Sequence, residues 1–257
     1  AEGIESSAVM VELYRICSCP TLVAIPLFTF AGYVMAESKT PVRLVNLARA
    51  FFGSFSGGLA VVALVTCAIF TAFTGASGVT IVALGGLLLP ILLKEQYPEK
   101  FSLGLITTSG SLGLLFPPSL PLILYALIGK ISIDRLIAAG IIPGILLVVV
   151  LSTYGIQQGK KAKVPTTPFA WENVKSSLRA AMWELPLPFI VIGGIYGGAF
   201  TATEAAAVTA FYVLVVEVFV YKDLHLFRDI PRVMRESMVL VGAILMIIGT
   251  AMGLTNY

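Results

Sequence analysis

Long uncharged apolar stretches govern what this chain can fold into. They cover residues 16–36, 50–93, 101–129, 136–159, 185–203 and 237–257. A shorter one, 205–216, continues past Glu217 to Tyr221. A helix that crosses the hydrocarbon core of a bilayer needs about 20 such residues. Soluble domains carry about 25% charged residues. Here 12% of 257 residues are charged and the mean hydropathy is +0.95, too little polarity to cover the surface of a soluble domain. The fold class is an all-α polytopic membrane protein. The formal net charge of +3 is too weak a bias to suggest a nucleic-acid partner.

The first residue is Ala1, and Tyr257 ends the sequence inside an apolar run. Both read as a piece of a longer protein. Residues 1–19 carry Glu2, Glu5, Glu12 and Arg15 without the basic start and apolar core of a signal peptide. Cys17, Cys19 and Cys67 lack metal or redox spacing, and they read as inert. With one histidine in the chain, no His/Cys metal site or cofactor is expected.

The run 50–93 is too long for one helix and suits two arms broken near residues 73–78. Whether the arms span or form a re-entrant hairpin, the chain returns to the side it left. Counting crossings places connectors 37–49, 94–100, 160–184 and 222–236 on one side. These hold fourteen of the seventeen basic residues, leaving Arg15, Lys130 and Arg135 for the other. Lys and Arg accumulate in cytoplasmic loops, so the four connectors are expected to be cytoplasmic.

Two of these connectors carry helical signals. Thr167-Pro168 offers a cap and a first-turn proline. Trp171, Val174, Leu178 and Met182 then share one face, and Pro186 ends the segment. This is an amphipathic helix for the membrane surface, or else an elbow packed on its neighbours. Leu226, Phe227, Ile230, Val233 and Met234 read similarly around Pro231.

Two breaks fall at membrane depth. Thr74-Gly75-Ala76-Ser77-Gly78 interrupts the first long run, and Gly113 with Pro117-Pro118-Ser119 interrupts 101–129. Each proline removes an amide donor, freeing carbonyls near 113–116. Bare backbone polar groups in hydrocarbon cost several kcal/mol, roughly. Such backbone persists only inside protein or along a cavity. Freed carbonyls with nearby hydroxyls are hard oxygen ligands suited to Na⁺, and discontinuous helices point to a transporter binding site. Small residues that merely tighten helix packing are the bland alternative.

Glu204 stands between two apolar runs. It is either a functional intramembrane acid or, behind Thr201 or Thr203, a helix-start acid; the structural role is favoured. Glu217 is expected to snorkel to the interface. Gly75-Ala76-Ser77-Gly78 also matches the Gly-x-Ser-Gly loop of rhomboid-type proteases. Its serine would need a base, and His225, the one histidine, lies in a charged connector. A non-transporting scaffold subunit is the other alternative.

Six collinear motifs carry a family resemblance. They are Ile25-Pro26-Leu27-Phe28-x-x-Ala31-Gly32, Gly57-Gly58-Leu59-Ala60, Phe73 to Gly78, Gly113 to Ser119, Ala139-Gly140-Ile141-Ile142-Pro143-Gly144, and the stretch from Gly193 to Ala205 containing Phe200-Thr201-x-Thr203-Glu204. From about Leu22 onward the chain resembles the large membrane subunit of the tripartite ATP-independent periplasmic (TRAP) transporters.

The resemblance implies an elevator-type, Na⁺-driven carrier in the bacterial inner membrane, not an enzyme. It takes up an organic acid such as a C4-dicarboxylate or sialic acid. A periplasmic binding protein delivers the acid, and a small four-helix membrane subunit completes the scaffold. On this reading 1–49 is an N-terminal scaffold-like segment. Residues 50–159 are transport-domain-like, with a re-entrant hairpin (50–93), a broken helix (101–129) and a following helix (136–159). Residues 160–184 are the amphipathic connector, and 185–257 begin a second repeat. The Na⁺ ligands carried over are Thr74, where the family usually has Ser, Ser77, and the carbonyls of Gly113, Phe116 and Pro117. Gly75, Ala76, Gly78, Pro118, Ser119 and Glu204 are expected to be substrate-adjacent or structural. Ala76 replaces a frequent Ser.

Overall fold

The computed structural model describes residue 14 and residues 20–55, 57–116, 119–129, 131–162, 164 and 170–255. Among them lie eleven α-helices and no strand. In chain order they are α1 (Ala24–Glu37), α2 (Thr40–Phe52), α3 (Gly58–Thr74), α4 (Ser77–Lys94), α5 (Glu99–Leu112), α6 (Leu120–Gly129), α7 (Ile133–Lys161), α8 (Trp171–Ala180), α9 (Pro186–Tyr196), α10 (Ala202–Val215) and α11 (Asp229–Thr255). Five helical stretches are long and apolar enough to cross a membrane, which makes this a multi-pass membrane protein.

Helix α3 is the hub, packing against α1, α2, α4, α5 and α7. Leu64 and Phe70 on α3 are fully buried, as are Ile25 and Phe28 on α1. On α4 the buried residues Thr80, Leu84, Leu88 and Leu92 recur every fourth position, one face of a 3.6-residue helix. Helix α1 is buried on most sides by α3, α10 and α11. Exposed apolar side chains gather on α7 (Ile142, Leu146, Val149) and α11 (Val239, Met246, Ile247), as surfaces that meet lipid or further protein do.

Three expectations are corrected. Pro186 does not end α8, which stops at Ala180; it occupies the first turn of α9, where its missing amide costs nothing. Helix α9 has 11 residues, about 16 Å at 1.5 Å per residue, so it reaches about halfway through a hydrocarbon core of about 30 Å. Glu184 just before α9 and Glu217 at the end of α10 both meet Arg43, so α9 and α10 together bring the chain back to the level it left. The second connector forms no separate surface helix: residues from Asp229 onward run unbroken into α11. Pro231 sits in that helix's first turn, where no amide donor is needed. Thr167 and Pro168 lie outside the described residues. On α8, Val174 packs inward while Trp171 and Leu178, with Met182 just beyond, stay exposed. The helix is thus both an elbow and an apolar surface strip.

Glu217 does not snorkel. It lies in a π-helical turn (Val216–Val220) that continues α10 and is 1% exposed. There it joins a charge cluster at the connector ends. Arg43 on α2 donates through Nε to Glu184, through Nη1 to Asp223 (2.6 Å) and through Nη2 to Glu217 (3.0 Å). Its guanidinium also lies 3.8 Å from the centre of the Tyr221 ring. Lys39 reaches Asp223 from solvent at 3.7 Å. Thr40 Oγ1 lies 3.0 Å from Glu184 and 2.8 Å from Glu217, yet it has one proton for two carboxylates. The cluster ties α2 to the 181–185 turn, the end of α10 and the turn before α11.

Burial pushes the Glu184 carboxyl up to about 7 from an ordinary 4.5, against the pull of Arg43. A carboxyl with a raised folded-state pKa binds its proton more tightly folded than unfolded. Stability therefore falls as pH rises from about 4.5 to about 7. Integrated over that window the loss is on the order of 3 kcal/mol. Thermal unfolding of the detergent-solubilised protein is expected to move to lower temperature between pH 5 and 8. Glu184→Gln is expected to flatten the profile; an unchanged pH profile in that variant would refute the assignment.

Candidate functional site

The hairpin tip is built by one glycine. At Gly75 the backbone turns left-handed (φ 63°, ψ 3°), and its amide donates to Thr71 O at 2.8 Å, closing α3. Only glycine adopts this conformation without cost. Ala76 is extended (φ −131°, ψ 109°), and α4 restarts at Ser77. The second break begins where α5 tightens into a 3₁₀ turn, Gly113–Leu115. Phe116 is extended and donates its amide to Gly113 O at 3.0 Å. That bond leaves the Gly113 carbonyl its second lone pair. Pro117 and Pro118 lie outside the described residues, and α6 begins at Leu120.

The two breaks lie against one another. A Cβ on Gly113 would stand 2.4 Å from Ala68 O and 2.4 Å from Thr71 Cβ, both on α3. A Cβ on Gly75 would fall 2.3 Å from Leu120 Cγ. A Cβ on Gly110 would lie 3.5 Å from Ser77 O. The start of α4, the end of α3 and both halves of the broken helix therefore meet with no room for side chains between them.

Buried hydroxyls line this contact. Thr74 Oγ1 is fully buried, 3.2 Å from Thr80 Oγ1 and 3.5 Å from each of the Thr71 and Ala76 carbonyls. Thr71 Oγ1 donates to Thr80 Oγ1 at 2.8 Å. Ser119, beside Leu120, is fully buried, and its Oγ has no hydrogen-bond partner among the described residues. Buried hydroxyls without a protein partner are commonly satisfied by a water or an ion. These oxygens could hold a hard monovalent cation, whereas the described residues contain no cluster of His, Cys, Asp and Glu able to hold a metal ion.

Among the expected site residues, the hairpin tip from Thr74 to Ser77 lies against the broken helix, with Gly75 on Leu120, the residue after Ser119, and Gly113 on the end of α3. Phe116 is adjacent, its ring against α7 where a Cβ on Gly144 would stand 2.9 Å away. Gly78 faces outward at the tip, with open space at its Cβ position. Glu204 is apart, at the start of α10. Its carboxylate accepts from Thr201 N at 2.7 Å, and its own amide donates to Thr201 Oγ1 at 3.3 Å, a reciprocal capping box. His225 is exposed in the turn before α11. Thr71 and Thr80 escaped sequence reasoning. Their signal was a hydroxyl three residues outside Thr74 on one side and three outside Ser77 on the other, which is one helical turn.

The family model for the tripartite ATP-independent periplasmic transporter, DctM component, matches residues 5–256. The chain is 37% identical over 243 residues to the C4-dicarboxylate TRAP transporter large permease protein of Pseudomonas aeruginosa, covering 94% of this chain and 57% of that protein. It is 38% identical over 245 residues to the Rhodobacter capsulatus protein of the same description, covering 90% and 56%. To the ectoine/5-hydroxyectoine TRAP transporter large permease protein of Ruegeria pomeroyi it is 36% identical over 230 residues, covering 89% and 54%. The chain thus spans a little over half the length of these curated relatives.

Proposed function

Because the chain belongs to the DctM large-permease family of the tripartite ATP-independent periplasmic transporters, we propose that it carries half of the transport machinery of a Na⁺-driven carrier for an organic acid. Relatives are named for C4-dicarboxylates and for ectoines; a small organic acid or zwitterion is the substrate class proposed here. A periplasmic binding protein would deliver it, and a small membrane subunit would brace the scaffold in the inner membrane. The protease alternative falls with family membership, since these relatives are permeases.

The observation that carries the proposal is the contact between two interrupted helices, where Gly75 packs on Leu120 and Gly113 on α3, beside the buried hydroxyls of Thr71, Thr74 and Thr80. In the proposed cycle, α3 and α4 act as a re-entrant hairpin in a moving, elevator-type domain. Na⁺ bound by Thr74 Oγ1, Ser77 and the carbonyls at 113 and 116–117 fixes the tip against the broken helix. The positive ends of half-helices then face an anionic substrate group. Removing the ion frees the tip, so substrate affinity and Na⁺ occupancy rise together by linkage.

The test is uptake into proteoliposomes by the full-length permease with its partners. Ser77→Ala is expected to raise the Na⁺ concentration for half-maximal uptake about tenfold, equivalent to about 1.4 kcal/mol, while membrane insertion is unchanged. An unaltered Na⁺ dependence would remove Ser77 from the site.

A further inference from the structure

A second polar feature lies away from the hairpin tip. Glu184 donates none of its binding capacity to solvent: it is 4% exposed, and only one of its carboxylate oxygens is engaged. Oε1 accepts from Arg43 and Thr40. Oε2 is buried with no hydrogen-bond partner among the described residues. Desolvating a carboxylate oxygen without a donor is costly, so its surroundings are informative.

Glu184 lines a cavity of about 360 Å³ between α1, α2, α3 and α9. Its wall is otherwise apolar except for Thr66, whose buried Oγ1 also has no partner among the described residues. A second cavity, also about 360 Å³, shares Val65, Ile69 and Pro188 with the first. It continues between α3, α7 and α9 to Ile141 and Ile192, with no charged residue in its lining. The two adjoin at Val65, Ile69 and Pro188, and together they are polar at the Glu184 end and apolar along the rest.

The charge at the polar end is unbalanced. Glu184, Glu217 and Asp223 face one buried guanidinium and one exposed ammonium, Lys39. When all three are ionised, a cationic hydrogen-bond donor at Glu184 would complete the set. Glu184 also stands at the end of the basic connector 160–184, just before α9, and the apolar cleft runs on along α9 from it.

We propose that this cleft binds an aminophospholipid of the cytoplasmic leaflet, its primary ammonium donating to Glu184 Oε2 and an acyl chain lying along α3 and α9. A charged, desolvated pair of this kind is stronger than a neutral hydrogen bond. A quaternary ammonium has the same charge but no N–H to donate, so the site discriminates phosphatidylethanolamine from phosphatidylcholine. The polar end of the cleft shares no residue with the Na⁺ reading; Phe116, whose carbonyl that reading uses, lines only the far apolar end. A lipid here would wedge between α3 and the α2–α9 pair, and its headgroup would join the cluster that ties the connectors together.

The experiment uses the full-length permease subunit in nanodiscs of phosphatidylglycerol. These contain equal small fractions of phosphatidylethanolamine and phosphatidylcholine with matched acyl chains. Lipid retained after detergent extraction is measured by mass spectrometry. The wild type is expected to retain phosphatidylethanolamine at least tenfold over phosphatidylcholine, and Glu184→Gln to reduce that preference to about twofold. Ile69→Trp fills the cleft from a position 40% exposed and outside the ion cluster. It is expected to lower retention of both lipids, and it keeps the test valid if Glu184→Gln fails to fold. Equal retention of the two lipids by the wild type would overturn the proposal, with the donor to Glu184 then coming from the rest of the chain. A preference that survives Glu184→Gln, or undiminished retention of both lipids in Ile69→Trp, would overturn it as well.

Discussion

Arg43→Ala is expected to be the most destabilising single substitution at the connector face. The side chain is 12% exposed and is the shared donor to Glu184, Glu217 and Asp223. Truncating it leaves three crowded carboxylates, two of them almost fully buried. Removing one partner of a buried ion pair costs about 3–5 kcal/mol, because the remaining charge is uncompensated. Arg43→Lys is expected to recover only part of that, since an ammonium cannot reach three acceptors in the planar fork that a guanidinium offers. In a double-mutant cycle with Glu217→Gln the two losses are expected to be strongly non-additive, as in a shared network. Thermal unfolding in detergent reads all three. An Arg43→Ala variant within about 0.5 kcal/mol of wild type, the range of ordinary surface substitutions, would show that the cluster does not hold the connectors.

Gly113→Ala is expected to disturb the proposed ion site without altering any hydroxyl in it. The new methyl would be placed 2.4 Å from Ala68 O and 3.0 Å from Ala72 N. Both are backbone atoms of α3, so the broken helix must move away from the hairpin. Overpacking of this kind costs about 1–3 kcal/mol, and the displacement moves the broken helix off the end of α3. Loss of any Na⁺-dependent stabilisation is expected along with lower stability. Gly104→Ala is the matched control: it lies in the same helix with open space at its Cβ position. Alanine there is expected to be neutral or stabilising by up to about 1 kcal/mol. Equal behaviour of the two variants would contradict the close contact of the breaks.

The membrane class and the two helix breaks were legible in the sequence because each rests on a local signal. Uncharged runs set the helices, and Gly75, Gly113 and the proline pair set the interruptions. What could not be read was which breaks meet, since the packing of Gly113 on α3, where an added Cβ would stand 2.4 Å from Ala68 O, is a tertiary fact. Thr71 and Thr80 were lost among ordinary helix residues for the same reason. Glu217 was misread because its apolar neighbours and nearby Lys222 suggest an interface residue. Its partner Arg43 lies 174 positions away, so no local pattern could reveal the pair. Pro186 and Pro231 were read as terminators or disturbances, whereas each sits in the first turn of a helix. A proline marks a boundary without saying on which side of it the helix lies.

The central claim is that a Na⁺ ion sits where the hairpin tip meets the broken helix. Its most direct test is the unfolding temperature of the full-length subunit in detergent, in NaCl against choline chloride at equal ionic strength. Wild type is measured beside Thr74→Val and Ser77→Ala. A ligand that binds only the folded state stabilises it by about 2.7 kcal/mol at a hundredfold excess over its Kd. A rise specific to Na⁺ in the wild type, lost in both variants, is the predicted result. Identical curves in the two salts, or a Na⁺ effect that both variants keep, would contradict an ion at this site.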